Sequence, residues 1–285
     1  MSDVVAKPFA VEVIGQRGEQ HRFEVSAEAI SRYAGATDDT TPAAREGRIA
    51  PPIFAIVPVW EAIAPASRSV ASDEARRSVL HYEQDMLLHT PIKAGMTLVS
   101  DAAPIALLPR PNGTSLVIHT RTTTPDGALV NEQYVTEFFR GVEATEALGD
   151  RAPDHRLPDD VKPTAPRAEI RYEVAADQPA RYAEASGDFF EIHLDDDAAR
   201  AVGLPGRIVH GLCTMAFTGR AVLEAAGVDD PGAVARIAVR FSAPLFPGDG
   251  VTTRIWNLNE GVFGFEAFDG HGRAVIKDGR AELRA

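Results

Sequence analysis

Part of this chain occurs twice, and no other feature constrains its fold as strongly. Tyr33 to Ala44 reads YAGATDDTTPAA, and 149 positions later Tyr182 to His193 reads YAEASGDFFEIH. Alignment pairs Tyr33 with Tyr182, Ala34 with Ala183, Ala36 with Ala185, Thr37 with Ser186 and Asp39 with Asp188, but sets Ala44 against His193. Later landmarks keep their order: Gly47-Arg48-Ile49 answers Gly206-Arg207-Ile208, and Pro91 to Gly95 answers Pro244 to Gly248. Ordered self-similarity of this kind predicts two copies of one folding unit.

At 285 residues, 45% of them hydrophobic, the chain is long enough for two packed cores. Residues 148–167, LGDRAPDHRLPDDVKPTAPR, are dense in Pro, Asp and Arg and have no apolar period, so they predict a linker between domains at 1–147 and 168–285. A formal charge of −12 repels nucleic acid and anionic lipid, and no Lys/Arg run offsets it. The start has no basic region leading into an apolar stretch, and no 18-residue apolar window stands out, which predicts a soluble, cytoplasmic protein. Cys213, the single cysteine, excludes an internal disulfide and reads as a small buried hydrophobe.

Hydrophobic period predicts, in the second half, a strand near 168–175 and a helix near 178–185 capped by Asp177. A short helix follows near 195–203, then a buried helix from Leu212 with Met215, Gly219, Val222 and Leu223 on one stripe. Period-two strands follow around 237–241, 251–256 and 263–267, with tight turns near Gly261 and Gly270. The first half predicts strands near 9–15, 21–25, 79–89, 97–107, 114–123 and 129–140, a helix at 27–35 and an apolar helix at 53–63. A long helix on an antiparallel sheet, twice, is α+β layering.

Asp188 and His193 stand five apart in a loop between two helices, a carboxylate and an imidazole able to share one water. Val209-His210-Gly211 opens the buried helix, and its glycine N–H, backed by the helix dipole, is a candidate oxyanion donor. Together, SGDFFEIH and GLPGRIVHGL resemble the motif of the MaoC-like hydratases, which include R-specific (type 2) enoyl-CoA hydratases and acyl-thioester dehydratases. Ser186, Gly187, Asp188, His193, His210 and Gly211 match that motif, while Phe190-Glu191 stand where the family has Asn-Pro. FSAPLFPGD, from Phe241 to Asp249, is similar to the family's next strand and turn.

The resemblance implies a double hotdog fold with a degenerate N-terminal copy. It further implies reversible hydration of a trans-2-enoyl thioester to the (R)-3-hydroxyacyl form, without cofactor or metal. In that reading Asp188 and His193 handle water and Gly211 N–H holds the enolate oxygen, while Phe190, His210 and Arg207 are candidate substrate contacts. An acyl-CoA is the expected substrate, since an acidic protein attracts an acyl carrier protein less well. Two double hotdogs could pair as a homodimer. A thioesterase with the same fold and a non-catalytic acyl-binding subunit stay open as alternatives. Glu191 reads as a solvated loop acid, Asp195-Asp196-Asp197 as a helix cap, Asp38-Asp39 as a relic of the second site, and the other six histidines as structural or surface groups.

Overall fold

The structure, a computed structural model, describes residues 8–284. Residues 1–7 and 285, the outermost parts of the two expected domains and most of the start read for a leader, lie outside it. The first half comprises β1 (His21–Glu24), α1 (Ala27–Ala36), α2 (Pro42–Arg45), α3 (Trp60–Val70), α4 (Asp73–Arg76), β2 (Val79–Leu88), β3 (Thr97–Arg110), β4 (Gly113–Thr123) and β5 (Leu129–Arg140). After the short β6 (Leu148–Gly149), the second half follows with β7 (Ala168–Glu173), α5 (Gln178–Ser186), α6 (Asp196–Ala201) and α7 (Gly211–Ala226). It closes with β8 (Val234–Phe241), β9 (Gly250–Asn259), β10 (Val262–Asp269) and β11 (Ala274–Leu283).

All strands join one antiparallel sheet ordered β1-β3-β4-β5-β2-β8-β11-β10-β9-β7, with β6 on β3. Read outward from β2 and β8, each half repeats the same order, so the duplication seen in sequence is a pseudo-twofold in space. The half-sheets meet where Glu83 to Leu87 pair with Arg240 to Arg236. There Met86 and Ile237 are fully buried on one face. On the opposite face, Arg236 forks onto both oxygens of Asp85, at 3.0 and 2.7 Å. The helices meet on the same axis: α1 packs on α5, and the Tyr33 and Tyr182 hydroxyls stand 3.2 Å apart.

α7 is buried on more than the expected single stripe, because it touches β9 on one side and the first half's Pro52–Val59 segment on the other. Its C-terminus closes on Gly227 at φ +72, a left-handed cap that favours glycine. The first half's counterpart differs. Pro52–Val59 winds as a 3-10 helix before α3 begins, since Pro58 cannot donate to the preceding turn. Pro52–Val70 together is one helical run of membrane-spanning length, a stretch that the sequence reading passed over; most of it is buried in the core of the fold.

Two further expectations change. Instead of a strand over 9–15, Phe9 makes one bridge to Ala71 and Val11–Val13 form a 3-10 turn. Asp177 flanks α5 without a side-chain cap bond and instead pairs with Arg181, at 3.2 Å. Residues 148–167 run across the outer face of the sheet. Trp256 Nε1 donates to Thr164 O at 3.0 Å, His155 Nδ1 reaches Asp278 O at 2.7 Å, and Leu157 is buried against Gly264.

Removing the carboxylate of Asp85 leaves Arg236 with longer contacts to Glu282, at 3.3 Å, and to the Asp154 carbonyl, at 3.2 Å, in a mostly buried setting. Asp85→Ala is expected to lower unfolding stability by about 3 kcal/mol in urea titrations.

Candidate active site

α5 ends at Gly187, whose φ of +82 is the left-handed cap position; open space surrounds it, so backbone angle, not close approach, calls for glycine. The reversed chain places Asp188 N on Ser186 Oγ at 3.2 Å, and Phe190 N on Asp188 Oδ1 at 3.2 Å. One 3-10 turn, Glu191–His193, then brings His193 back beside the aspartate. His193 Nδ1 lies 2.9 Å from Ile208 O, an acceptor, so Nδ1 carries the proton and Nε2 keeps a free lone pair.

His210 supports both. Its Nε2 donates to the Asp188 carbonyl at 3.0 Å, and its ring stacks on His193 with centroids 3.8 Å apart. Tyr182 lies on its other side at 4.8 Å. Burial pushes the Asp188 carboxyl up, opposed by the His193 charge and the Phe190 N–H. Burial pushes His193 down, opposed by the Ile208 carbonyl and by Asp188. Burial thus shifts both groups in the direction of their neutral forms. His210 falls to about 3, mainly by burial and then by the His193 charge, and is neutral.

Gly211 begins α7, and its N–H, in the first turn, has no acceptor within the helix. A Cβ there would stand 3.0 Å from the Phe241 ring, a second reason for glycine. Asp188, His193 and His210 bring one ligand atom each within 4.8 Å of one another. Imidazoles bind metals in the ring plane, and two rings stacked 25° from parallel direct their lone pairs side by side, not at one point. The trio therefore suits proton transfer better than metal binding.

The comparisons agree with this geometry. Residues 160–270 match the family model described as MaoC like domain, and residues 12–133 match the one described as FAS1-like, dehydratase domain region. The 3-hydroxyacyl-thioester dehydratase Y of Mycobacterium tuberculosis is 33% identical over 218 residues, covering 73% of each chain. The chain belongs to the MaoC-like dehydratase family. A probable enoyl-CoA hydratase 2 of Dictyostelium discoideum is 27% identical over 66% of this chain and 64% of its own. In fold the chain is similar to a MaoC-like dehydratase from Phytophthora capsici, with TM-score 0.85, 23% identity and 96% and 98% coverage. It is also similar to a Mycobacterium tuberculosis protein described as a double hotdog, with TM-score 0.61, 15% identity and 95% and 96% coverage.

Among the described residues of this MaoC-like chain, the Asp, His and Gly of the candidate site occur together in the second half only. Asp39 accepts from Thr41 N at 2.8 Å and from its Oγ1 at 2.7 Å, so its own turn occupies it. Ala44 stands in the place of His193, and Pro52, at the position of Gly211, has no N–H to offer. Arg181, reaching across from α5, donates to Gly35 O at 2.8 Å and to Asp38 at 2.9 Å.

Of the other candidates, Phe190 is 59% exposed, with its ring 6.4 Å from His193, and Arg207 and Glu191 are exposed. Asp195 caps α6, accepting from Asp197 N at 2.7 Å and Ala198 N at 2.8 Å. Burial pushes the Cys213 thiol up, as suits an inert core group. Of the six remaining histidines, His81 bonds Gln84 and His155 bonds Asp278 O, both inside the fold. The sequence reading missed the Tyr182–His210–His193 stack and the Ile208 carbonyl; the echoed tyrosines were the available signal for the stack.

His210 titrates near 3 when folded and near 6.5 when unfolded, so the unfolded chain binds more protons between these values. Stability contributed by neutral His210 is complete above pH 6.5 and is lost as pH falls through the window toward 3. Thermal melts should show about 2 kcal/mol lost between pH 7 and 5 from this group, and His210→Gln should remove that share of the slope.

Proposed function

We propose that this chain adds water reversibly across the C2–C3 double bond of a trans-2-enoyl-CoA, giving the (R)-3-hydroxyacyl-CoA, with no cofactor and one active site per chain. The observation that carries the reading is the placement of Asp188 and His193, with polar atoms within 4.8 Å of each other, next to the helix start whose Gly211 N–H has no acceptor in the helix. Relatives named as a 3-hydroxyacyl-thioester dehydratase and an enoyl-CoA hydratase support it.

Water sits between the two side chains. Its oxygen bonds to C3 while His193 Nε2, freed by the Nδ1–Ile208 bond, takes one of its protons. The electron pair of the double bond moves toward the thioester carbonyl, whose developing oxyanion accepts from Gly211 N–H; one such donor contributes about 3 kcal/mol. Asp188, acting as the carboxylic acid, delivers a proton to C2, and burial shifts its carboxyl in the direction of that form. Transfer from His193 to Asp188 then restores the pair. Dehydration runs the same steps backward. His210 acts by holding the Asp188 main chain and the plane of His193. Phe190 and Arg207 flank the entrance, where an acyl chain and a CoA phosphate would pass.

The test is incubation with crotonyl-CoA followed by chromatographic separation of 3-hydroxybutyryl-CoA and free CoA. Asp188→Asn and His193→Ala are each expected to lower kcat by about 10² to 10⁴ with folding retained. Release of free CoA without 3-hydroxybutyryl-CoA would overturn the hydratase reading in favour of thioester hydrolysis.

A further inference from the structure

At the position matching Gly187, the first half carries Asp38, and the left-handed backbone is kept: φ is +50 at Asp38 and +82 at Gly187. Glycine takes that conformation freely, whereas a Cβ crowds the following carbonyl, and an aspartate tolerates it best when its side chain bonds the local backbone. Asp38 does not use that relief. Among the described residues its carboxylate is bonded by Arg181 alone, Nη1 donating to Oδ1 at 2.9 Å and Nη2 to Oδ2 at 3.4 Å. The Asp38 carbonyl accepts from Arg220 Nη1, and the Arg220 guanidinium lies over the Tyr172 ring at 3.5 Å. A non-glycine residue persists in this conformation where its surroundings over-determine it, and Asp38 bears two bonds from the other half.

The two arginines come from the two helices that build the candidate site. Arg181 is on α5, whose end turns through Gly187 to Asp188, and Arg220 is on α7, whose first residue is Gly211. Arg181 also donates to Gly35 O at 2.8 Å, so its guanidinium is fixed on the first half's turn at two residues, and Gln178 Oε1 accepts from it at 3.0 Å on its own helix. One first-half residue therefore bonds both the helix that leads to the acid–base pair and the helix that presents the oxyanion donor. The brace does not repeat in reverse. Arg32, the counterpart of Arg181, is exposed and lies 3.9 Å from Glu28, while Gly187 has no carboxylate to offer it. Glu61 stands where the second half has Arg220, at the same offset that sets Pro52 against Gly211.

Resting on the hydratase reading, we propose that Asp38 is a positioning residue, whose bonds to Arg181 and Arg220 set the spacing between the Asp188–His193 pair and the Gly211 N–H. The conjugated enoyl thioester is planar and holds C3, where water adds, at a fixed distance from the carbonyl oxygen, where charge develops. The groups that serve those two atoms must keep one matching separation, and they stand on different helices. Asp38 joins those helices from outside the site, so the half without the dyad contributes to the reaction without touching substrate.

The test is steady-state hydration of crotonyl-CoA by the full chain and by its Asp38→Gly, Asp38→Asn and Arg181→Ala variants, with a thermal melt of each. Asp38→Gly keeps the carbonyl that Arg220 bonds, and the backbone it relieves offsets the entropy that glycine adds to the unfolded chain, so it should melt close to the unmodified protein. Its kcat is expected to fall on the order of tenfold, with KM changed by less than about twofold. Asp38→Asn, which keeps one acceptor for Arg181, should recover part of that loss. Arg181→Ala should fall about as far as Asp38→Gly, and the double variant no further than either single one. A kcat for Asp38→Gly within about twofold of the unmodified chain, or a double loss equal to the product of the single losses, overturns the positioning role and leaves Asp38 as an interface ion pair. Failure of the unmodified chain to hydrate crotonyl-CoA would overturn the hydratase reading itself, which separates the two results.

Discussion

The antiparallel pairing of β2 with β8 is the contact on which the rest of this structure depends. Each half-sheet has one edge there, and an unpaired edge exposes a row of backbone donors and acceptors. Joining the edges satisfies both and aligns the halves about one axis. Met86 and Ile237 seal the helix side of the seam, and Asp85 and Arg236 seal the outer side. The same axis sets α1 against α5 and brings Tyr33 to Tyr182. Because Tyr182 also backs His210, and His210 stacks on His193, the interface of the two copies extends in three contacts to the candidate site.

Duplication then freed one copy to change. In the second half, the turn after Gly187 exposes Asp188 and returns His193 beside it, and the helix dipole of α7 stands behind Gly211. In the first half, the matching turn spends Asp39 on Thr41, and Pro52 removes the N–H. Six residues further on, Pro58 removes a second donor, so a 3-10 run stands where the second half has the start of a long α-helix. Burial tunes what remains: it pushes the Asp188 carboxyl up and His193 down, while stacked His210 stays neutral.

Much was legible before any coordinates. The echo at offset 149 indicated two copies, and period-two strands and the Leu212 stripe identified the elements around the site. The spacing of Asp188, His193 and Gly211 pointed to the residues that the fold brings together, because short loops between well-signalled helices leave them little freedom. Other elements were misread for physical reasons. Phe9 to Gly15 has strand-like composition but finds a single bridging partner, and Asp177 sits at a helix start yet prefers the Arg181 ion pair. Pro52–Val59 shows the hydrophobicity of a helix, but a missing N–H at Pro58 decides its winding.

The sequence by itself determined the duplication, the α+β layering and the presence of an Asp, His and Gly motif in the second half where the first has Asp, Ala and Pro, since these follow from residue identity, period and order. Only the tertiary structure decided that the half-sheets fuse through β2 and β8, that His210 bonds the Asp188 carbonyl, and that polar groups of the first half lie buried without partners. Those facts depend on contacts between residues tens to hundreds of positions apart: His210 and Asp188 are 22 apart, Arg236 and Asp85 are 151 apart. Local propensity carries no information about such contacts, because they form when whole faces pack and bring distant donors and acceptors into one dry space.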